Sequence, residues 1–280
     1  MDNDRSLAAR ALRIVGFALL ALAITAVAGG VWSVLLVANL RGSPAIPWSV
    51  PVMAILLWLM WIYLGGRGWP RSTSDARRRY LRANARPFRT YVWSLVAGVL
   101  SVVALAGYWI VLFQLVKMPP NALPDMSAYP RLTVLLMIVM ASLVAPFMEE
   151  AGFRGYFQVA LEQEFRAPVA ITLSSLVFAL AHLSHGLFWP KLLVYFLVGA
   201  VFGVTAYLTN SSLPAIPPHI IGDITFFTLI WPHDAARRLV LNSGTDSCFW
   251  LHMAQAIVFT VLAVWAFWRL ARERSQGPTR

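Results

Sequence analysis

The sequence predicts an all-α protein, a polytopic bundle of about eight membrane-spanning helices with both termini on the cytoplasmic side. Three observations carry that expectation. Hydrophobic residues make up 59% of the 280-residue chain and charged residues only 12%, where a soluble domain has roughly a quarter charged. The apolar residues fall in long runs, many near the roughly 20 residues needed to cross a bilayer core as a helix. The basic residues, which set a net charge of +11, lie between those runs, as orientation signals and anionic-headgroup contacts do. Nucleic-acid binding is therefore not expected. The single cysteine, Cys248, excludes an intrachain disulfide and a multi-cysteine metal cage.

A polar head at 1–13 precedes the first apolar run, 14–40. Ala26-Val27-Ala28 has the form of a signal-peptidase site, but the run continues through Trp32 to Leu40, so it is read as an uncleaved helix. The second span, 48–64, is entered through Pro44, Pro47 and Pro51, tolerated there because the first turn of a helix has no N–H partner to lose. The Arg-rich stretch 65–89 is expected to be a solvated cytoplasmic loop rather than a binding site. The third span, 91–116, and a Pro-rich turn at 117–130 close an N-terminal unit of three helices at 14–130. The fourth run starts at Leu132 and meets no helix stop before Glu162.

Spans five, six and seven fall at about 168–183, 192–208 and 213–231, and with span four they make up a central unit at 131–231. A loop, the eighth span at 249–268 and a basic tail occupy 232–280. Lys and Arg concentrate in the segments on the N-terminal side of the membrane, which sets N-in and C-in, and a bacterial cytoplasmic membrane is the expected location. Trp48, Trp69, Trp93, Trp189, Trp231, Trp250 and Trp268 sit near span ends and read as headgroup anchors. Gly199 and Gly203, four apart, read as a packing face.

Few ionisable residues remain inside the core spans: Glu149, Glu150, Arg154, His182, His219 and Asp223. An Asp, Lys or Arg at the centre of a spanning helix costs about +2.5 to +3.5 kcal/mol on insertion scales, so such a cluster is a functional-site hypothesis. Glu150 and Arg154 are four apart and can pair along one helix face, leaving Glu149 on its neighbour. Phe178 and His182 have the same spacing on span five, after the small polar Ser174 and Ser175, and His219 and Asp223 have it on span seven. Glu162 to Glu149 is about 20 Å of helix and Arg166 to His182 about 24 Å, which puts both at similar depth. His219 follows Ser212 too closely for a helix to match that depth. Pro214, Pro217 and Pro218 are therefore expected to hold an extended segment, which would rise about 22 Å.

Carboxylates and neutral imidazoles at one depth are suited to activate water as general bases or to ligate zinc, and a histidine can stabilise an oxyanion. On chemistry alone a hydrolase, a proton-coupled transporter and a structural salt-bridge network all remain open. His185, His233, Asp234 and His252 are expected to be interfacial or solvated, and Cys248 lies in a loop without a base partner.

The motifs in order resemble one family. Glu149-Glu150-Ala151-Gly152-Phe153-Arg154-Gly155 is similar to the Glu-Glu-x-x-x-Arg motif of the CPBP intramembrane proteases, which include type II CAAX prenyl proteases and bacteriocin-immunity proteins. Phe178 to His182 matches the Phe-x-x-x-His motif, and His219 with Asp223 the third, His followed four later by Asn or Asp. The resemblance covers about 132–231. It implies an endopeptidase site within the membrane that opens to the cytoplasm and acts on peptide or membrane-protein substrates, lipidated ones included. By position, Glu149 and His182 would activate water and Glu150 and Arg154 would orient the site. His219 and Asp223 would stabilise the oxyanion or bind metal, with Glu149, His182 and His219 the ligands if zinc is used. Asp223 stands where CAAX-processing members carry Asn; a carboxylate is a poor oxyanion donor, so here it is expected to orient His219. The alternative implied by the same fold is a non-proteolytic transporter, immunity or scaffold protein. Oligomeric state and pathway are not encoded in these motifs.

Overall fold

The computed structural model describes residues 7–119 and 126–276, together with the side chains of most of them. The first six residues, the middle of the Pro-rich turn and the last four residues lie outside them, as do the side chains of Ser184 and His185. Among the described residues the chain is helical throughout, without strands. In order it forms α1 (Leu7–Gly42), α2 (Ser49–Leu64), the short α3 (Ser74–Leu81), α4 (Phe88–Leu115), α5 (Arg131–Glu149) and α6 (Gln158–Glu162). After these come α7 (Ala167–Ala181), α8 (Trp189–Thr209), α9 (Ile216–Thr225), the single turn α10 (Val240–Ser243) and α11 (Ser247–Gln276). Six helical stretches are long and apolar enough to cross a membrane, and α2 and α7 are shorter apolar helices.

The fourth span is continuous, as its sequence predicts, but not uniform. Between α5 and α6 the segment Glu150–Phe157 is π-helical and entirely buried. A π-helix opens the backbone ring by one residue and is found mostly at functional sites. Pro146 lies inside α5, four residues before Glu150, where its missing N–H and its ring disturb the ladder.

The Arg-rich stretch departs from the solvated loop expected of it. Arg77 is buried and donates to four carbonyls, those of Tyr63, Arg67, Gly68 and Pro70, with its guanidinium 4.1 Å from the Tyr63 ring centroid. A guanidinium has five donors in a rigid fork, which suits it to gather carbonyls that an irregular turn leaves unpaired. Arg82 is buried too: it grips both carboxylate oxygens of Glu162 at 3.0 and 2.8 Å and reaches Asn210 Oδ1 at 3.0 Å. Ser212 adds bonds to the carbonyls of Leu81 and Arg82. Arg13 of α1 reaches Glu164 at 3.0 Å and Tyr80 at 2.7 Å. One polar end of the bundle thus gathers the starts or ends of α1, α3, α6, α8 and α9. Gly155 of the π segment lets α3 sit down on it, since a Cβ there would lie 2.9 Å from the carbonyl oxygens of Tyr80 and Leu81.

The expected extended segment before His219 is not present. Leu213–Ala215 is a 3-10 turn that runs directly into α9, with prolines at the first positions of each. Proline's fixed φ is already helical, and N–H groups of a first turn have no helical partner to lose, so these prolines start a helix. Depth is reached differently: Ser211 and Ser212 are already fully buried beneath α3, so α9 begins inside the protein. Gly98 of α4 admits it, because a Cβ there would stand 2.4 Å from Cβ of Pro218.

Two apolar cores flank the motif helix. One joins α1, α4, α7 and α8 around Trp109, Phe153, Phe178 and Tyr195; the other joins α1, α2, α3 and α5 around Met140, Met148 and Tyr156. Arg82→Ala, which removes the guanidinium from Glu162 and Asn210, is expected to lower unfolding free energy in detergent by roughly 1.5–3 kcal/mol, the usual worth of a hydrogen bond to a charged group. Arg79→Ala, at an exposed position of the same helix, should change it by less than about 0.5 kcal/mol.

Candidate active site

The six residues singled out by sequence converge. Glu150 opens the π-helical segment after α5 with no exposed surface, and its Oε1 meets Nε of Arg154 at 3.5 Å and Nδ1 of His219 at 3.0 Å. A buried carboxylate requires such partners, because an unpaired buried charge costs several kcal/mol. Arg154 in turn lies with its Cζ 4.3 Å from the Phe178 ring centroid, and Nη2 points to the carbonyl of Gly199 at 3.5 Å. Gly199 lets α8 come this close: a Cβ there would stand 2.8 Å from Cα of Ser175 on α7. The packing reading of Gly199 is therefore correct, with a second use, since its carbonyl faces the motif arginine.

Glu149 turns the other way, toward a cavity, and both imidazoles approach it. Nε2 of His182 is 3.9 Å from Oε1, and Nε2 of His219 is 3.5 Å from Oε2. The backbone places a proton on His182: Nδ1 lies 2.8 Å from the carbonyl of Phe178, which only accepts, so Nδ1 donates and Nε2 faces Glu149. His219 differs. Glu150 lies against its Nδ1, and Glu149 and Asp223 both face its Nε2, the latter at 3.8 Å.

Aromatic rings fix both imidazoles. Tyr195 stacks on His182 at 4.4 Å between centroids, and Phe202 stacks on His219 at 4.4 Å, both from α8. Span six carries no polar motif, so sequence spacing could not single out these two residues; only the crossing of α8 over α7 and α9 reveals them.

The cavity has a volume of about 430 Å³, and its wall includes Glu149, His182, His219 and Asp223 along with Phe178, Trp109 and Trp231. Trp231, expected as a headgroup anchor, faces this cavity instead. Asp234, expected to be solvated, is buried and accepts from Trp109 Nε1 at 3.1 and 3.0 Å and from Arg237 at 3.0 Å. His252 instead meets Gln255 at 2.8 Å on α11, while the side chain of His185 is outside the described residues.

The two imidazoles take opposite oxygens of Glu149 rather than converging on one point. Among the described residues no three His, Cys, Asp or Glu side chains are arranged to hold a metal ion. The residues as placed do not fit the zinc expectation, and the chemistry below uses no step through a metal.

Residues 131–225 match the family model described as "Type II CAAX prenyl endopeptidase Rce1-like". Over that stretch the chain is similar to this family. The matched stretch contains all six converging residues, whereas Trp109, Trp231 and Asp234 lie outside it. No curated protein and no solved structure matches the chain.

Within the matched stretch, Glu150 and Glu149 have separable duties. Glu150→Ala leaves the Arg154 guanidinium buried without its carboxylate and is expected to destabilise the protein by about 3–5 kcal/mol, the range for breaking a buried pair. Glu149→Ala, which faces a cavity, should leave the thermal midpoint within about 2–4 °C of the parent, consistent with a loss below 1 kcal/mol. Thermal unfolding in detergent, followed by tryptophan fluorescence, compares the two.

Proposed function

We propose that the protein is an intramembrane endopeptidase that hydrolyses peptide bonds of membrane-associated substrates, with Glu149 as the general base. The observation that carries this reading is the approach of two imidazoles to the two oxygens of one cavity-facing carboxylate. A separation of 3.9 Å between Glu149 Oε1 and His182 Nε2 is too long for a direct hydrogen bond and suits a bridging water. That water would donate one proton to each atom, leaving an oxygen lone pair for a substrate carbonyl carbon.

As the C–O bond forms, Glu149 accepts the water proton and the carbonyl oxygen becomes an oxyanion, which His219 meets through its Nε2–H. Glu149 then hands the proton to the leaving amine as the C–N bond breaks. Asp223, 3.8 Å from Nε2, orients His219 rather than binding the oxyanion itself. Glu150 and Arg154 act behind the reacting atoms: Glu150 holds His219 through Nδ1, and Arg154 holds Glu150.

The surrounding architecture fits the same reading. Six long and two shorter apolar helices agree with eight crossings, and α2 at 16 residues spans about 24 Å, close to a thinned hydrocarbon core. With the Arg-rich end inside, both termini face the cytoplasm and the core at 131–231 lies between two flanking units. A bacterial cytoplasmic membrane and lipidated or unmodified membrane peptides are the location and substrates this reading favours.

Purified protein in vesicles should cleave a membrane-anchored peptide, and Glu149→Gln and His182→Ala should each reduce kcat by about 10²–10⁴, the range for losing a general base. Asp223→Asn should reduce it less than His219→Ala. Equal cleavage by Glu149→Gln and the parent overturns the proposal, as does uptake of a solute that depends on Glu149 without any peptide product.

A further inference from the structure

The cavity is closed at one end by residues that the catalytic motifs do not include. The chain leaves α9 through a second π-helical segment, Phe226–Ile230, and a 3-10 stretch, Trp231–Ala236. Phe226 meets Trp109 edge to face at 5.5 Å, Phe227 meets Trp231 at 4.9 Å, and Trp109 and Trp231 stand 6.5 Å apart. Trp109, Phe226, Phe227 and Trp231 all border the cavity that holds Glu149. Trp109 also packs 6.0 Å from Tyr195, the ring stacked on His182.

A fastening holds this wall in place. Asp234 accepts the indole N–H of Trp109 on α4 through both carboxylate oxygens and also accepts from Arg237, while Arg237 donates to the carbonyl of Ile230 at 3.1 Å. The buried Lys191 of α8 interacts electrostatically with the same carboxylate. A charged acceptor makes these bonds shorter and stronger than neutral ones, so the strap from 226 to 237 is tied to α4 and α8 beside the reacting groups. The cavity, at about 430 Å³, is near the small end of ligand sites, which run from roughly 300 to 1,000 Å³. Little room remains for a large side chain once a peptide backbone lies against Glu149.

We propose that Trp231 and Trp109, fastened by Asp234, form the specificity wall of the site: they admit small and medium apolar side chains beside the scissile bond and exclude large aromatic ones. This inference rests on the endopeptidase reading above. Asp234 is a positioning residue in it, acting through Trp109 and the strap, and touches no reacting atom.

The test uses the full chain in vesicles and membrane-anchored peptides in which Ala, Leu and Trp are exchanged at each position flanking the cleaved bond. The parent should prefer Ala or Leu over Trp at one of these positions by about 10-fold or more in kcat/KM, the scale on which a tight pocket discriminates. Trp231→Ala, at a half-buried site, should remove most of that preference, and Trp231→Phe only part of it. Asp234→Ala should act in the same direction, whereas Asp234→Asn, which keeps one acceptor for Trp109, should retain most of the preference. Trp189→Ala, 63% exposed and away from the cavity, should leave it unchanged.

The same peptides are also scored by binding to Glu149→Gln in fluorescence titrations, with and without Trp231→Ala. A lost size preference in binding without cleavage by the parent supports the wall and overturns the endopeptidase reading. Cleavage with a preference that Trp231→Ala leaves intact overturns the wall and keeps the reading. No size preference in either measurement also overturns it.

Discussion

A carboxylate without exposed surface, Glu150, is the constraint around which the rest of the structure is arranged. Taking such a charge out of water is expensive, and the protein interior offsets it only where partners are close and well placed. Here the partners come from near and far along the sequence: Arg154 from the next turn of the same span, and His219 from α9. The arginine needs its own support, so Phe178 offers a ring face and the carbonyl of Gly199 offers an acceptor. Four spans, α5 with its π-helical continuation, α7, α8 and α9, are thereby committed to one another. Glu149, one residue earlier, is released from structural duty and turned toward the cavity.

The polar end of the bundle solves a different problem. Helix ends carry unpaired carbonyls and N–H groups, and these must find partners or water. Arg77 gathers the carbonyls of the turn after α2, and Arg82 joins Glu162 to Asn210, so a short helix from a connecting loop becomes a clamp over the starts and ends of the spans that carry the polar cluster. Because Ser212 is buried beneath that clamp, α9 can begin as a helix inside the protein and still bring His219 to Glu149. Scaffold and chemistry meet at Gly155, where α3 contacts the π-helical motif segment itself.

The other side of the site is aromatic. Tyr195 and Phe202 limit the motion of the imidazoles from α8, and Trp109 and Trp231 bound the cavity beyond them. Placing reactive groups against rigid rings reduces what must be ordered when a substrate arrives, which is the general advantage of a preorganised site. Asp234 extends the same logic outward, since it anchors an indole rather than a reacting group.

The sequence by itself determined the helical class, the approximate limits of the apolar spans and the identity of six residues, because these depend on local periodicity and on the rarity of charge in a membrane. Spacing by four placed Glu150 beside Arg154 and His219 beside Asp223 for the same local reason. Tertiary structure decided what spacing cannot encode. Whether Arg77 and Arg82 are solvated or buried depends on which carbonyls and carboxylates other segments bring to them. Prolines before His219 are compatible with extended or first-turn helical backbone, and burial of Ser212 selects the helix. Asp234 reads as a loop residue until Trp109, distant in sequence, supplies the N–H that it accepts. The partner of His219 at Nδ1 was likewise not legible, since an imidazole chooses between carboxylates by geometry, and only the assembled bundle sets Glu150 on one nitrogen with Glu149 and Asp223 on the other.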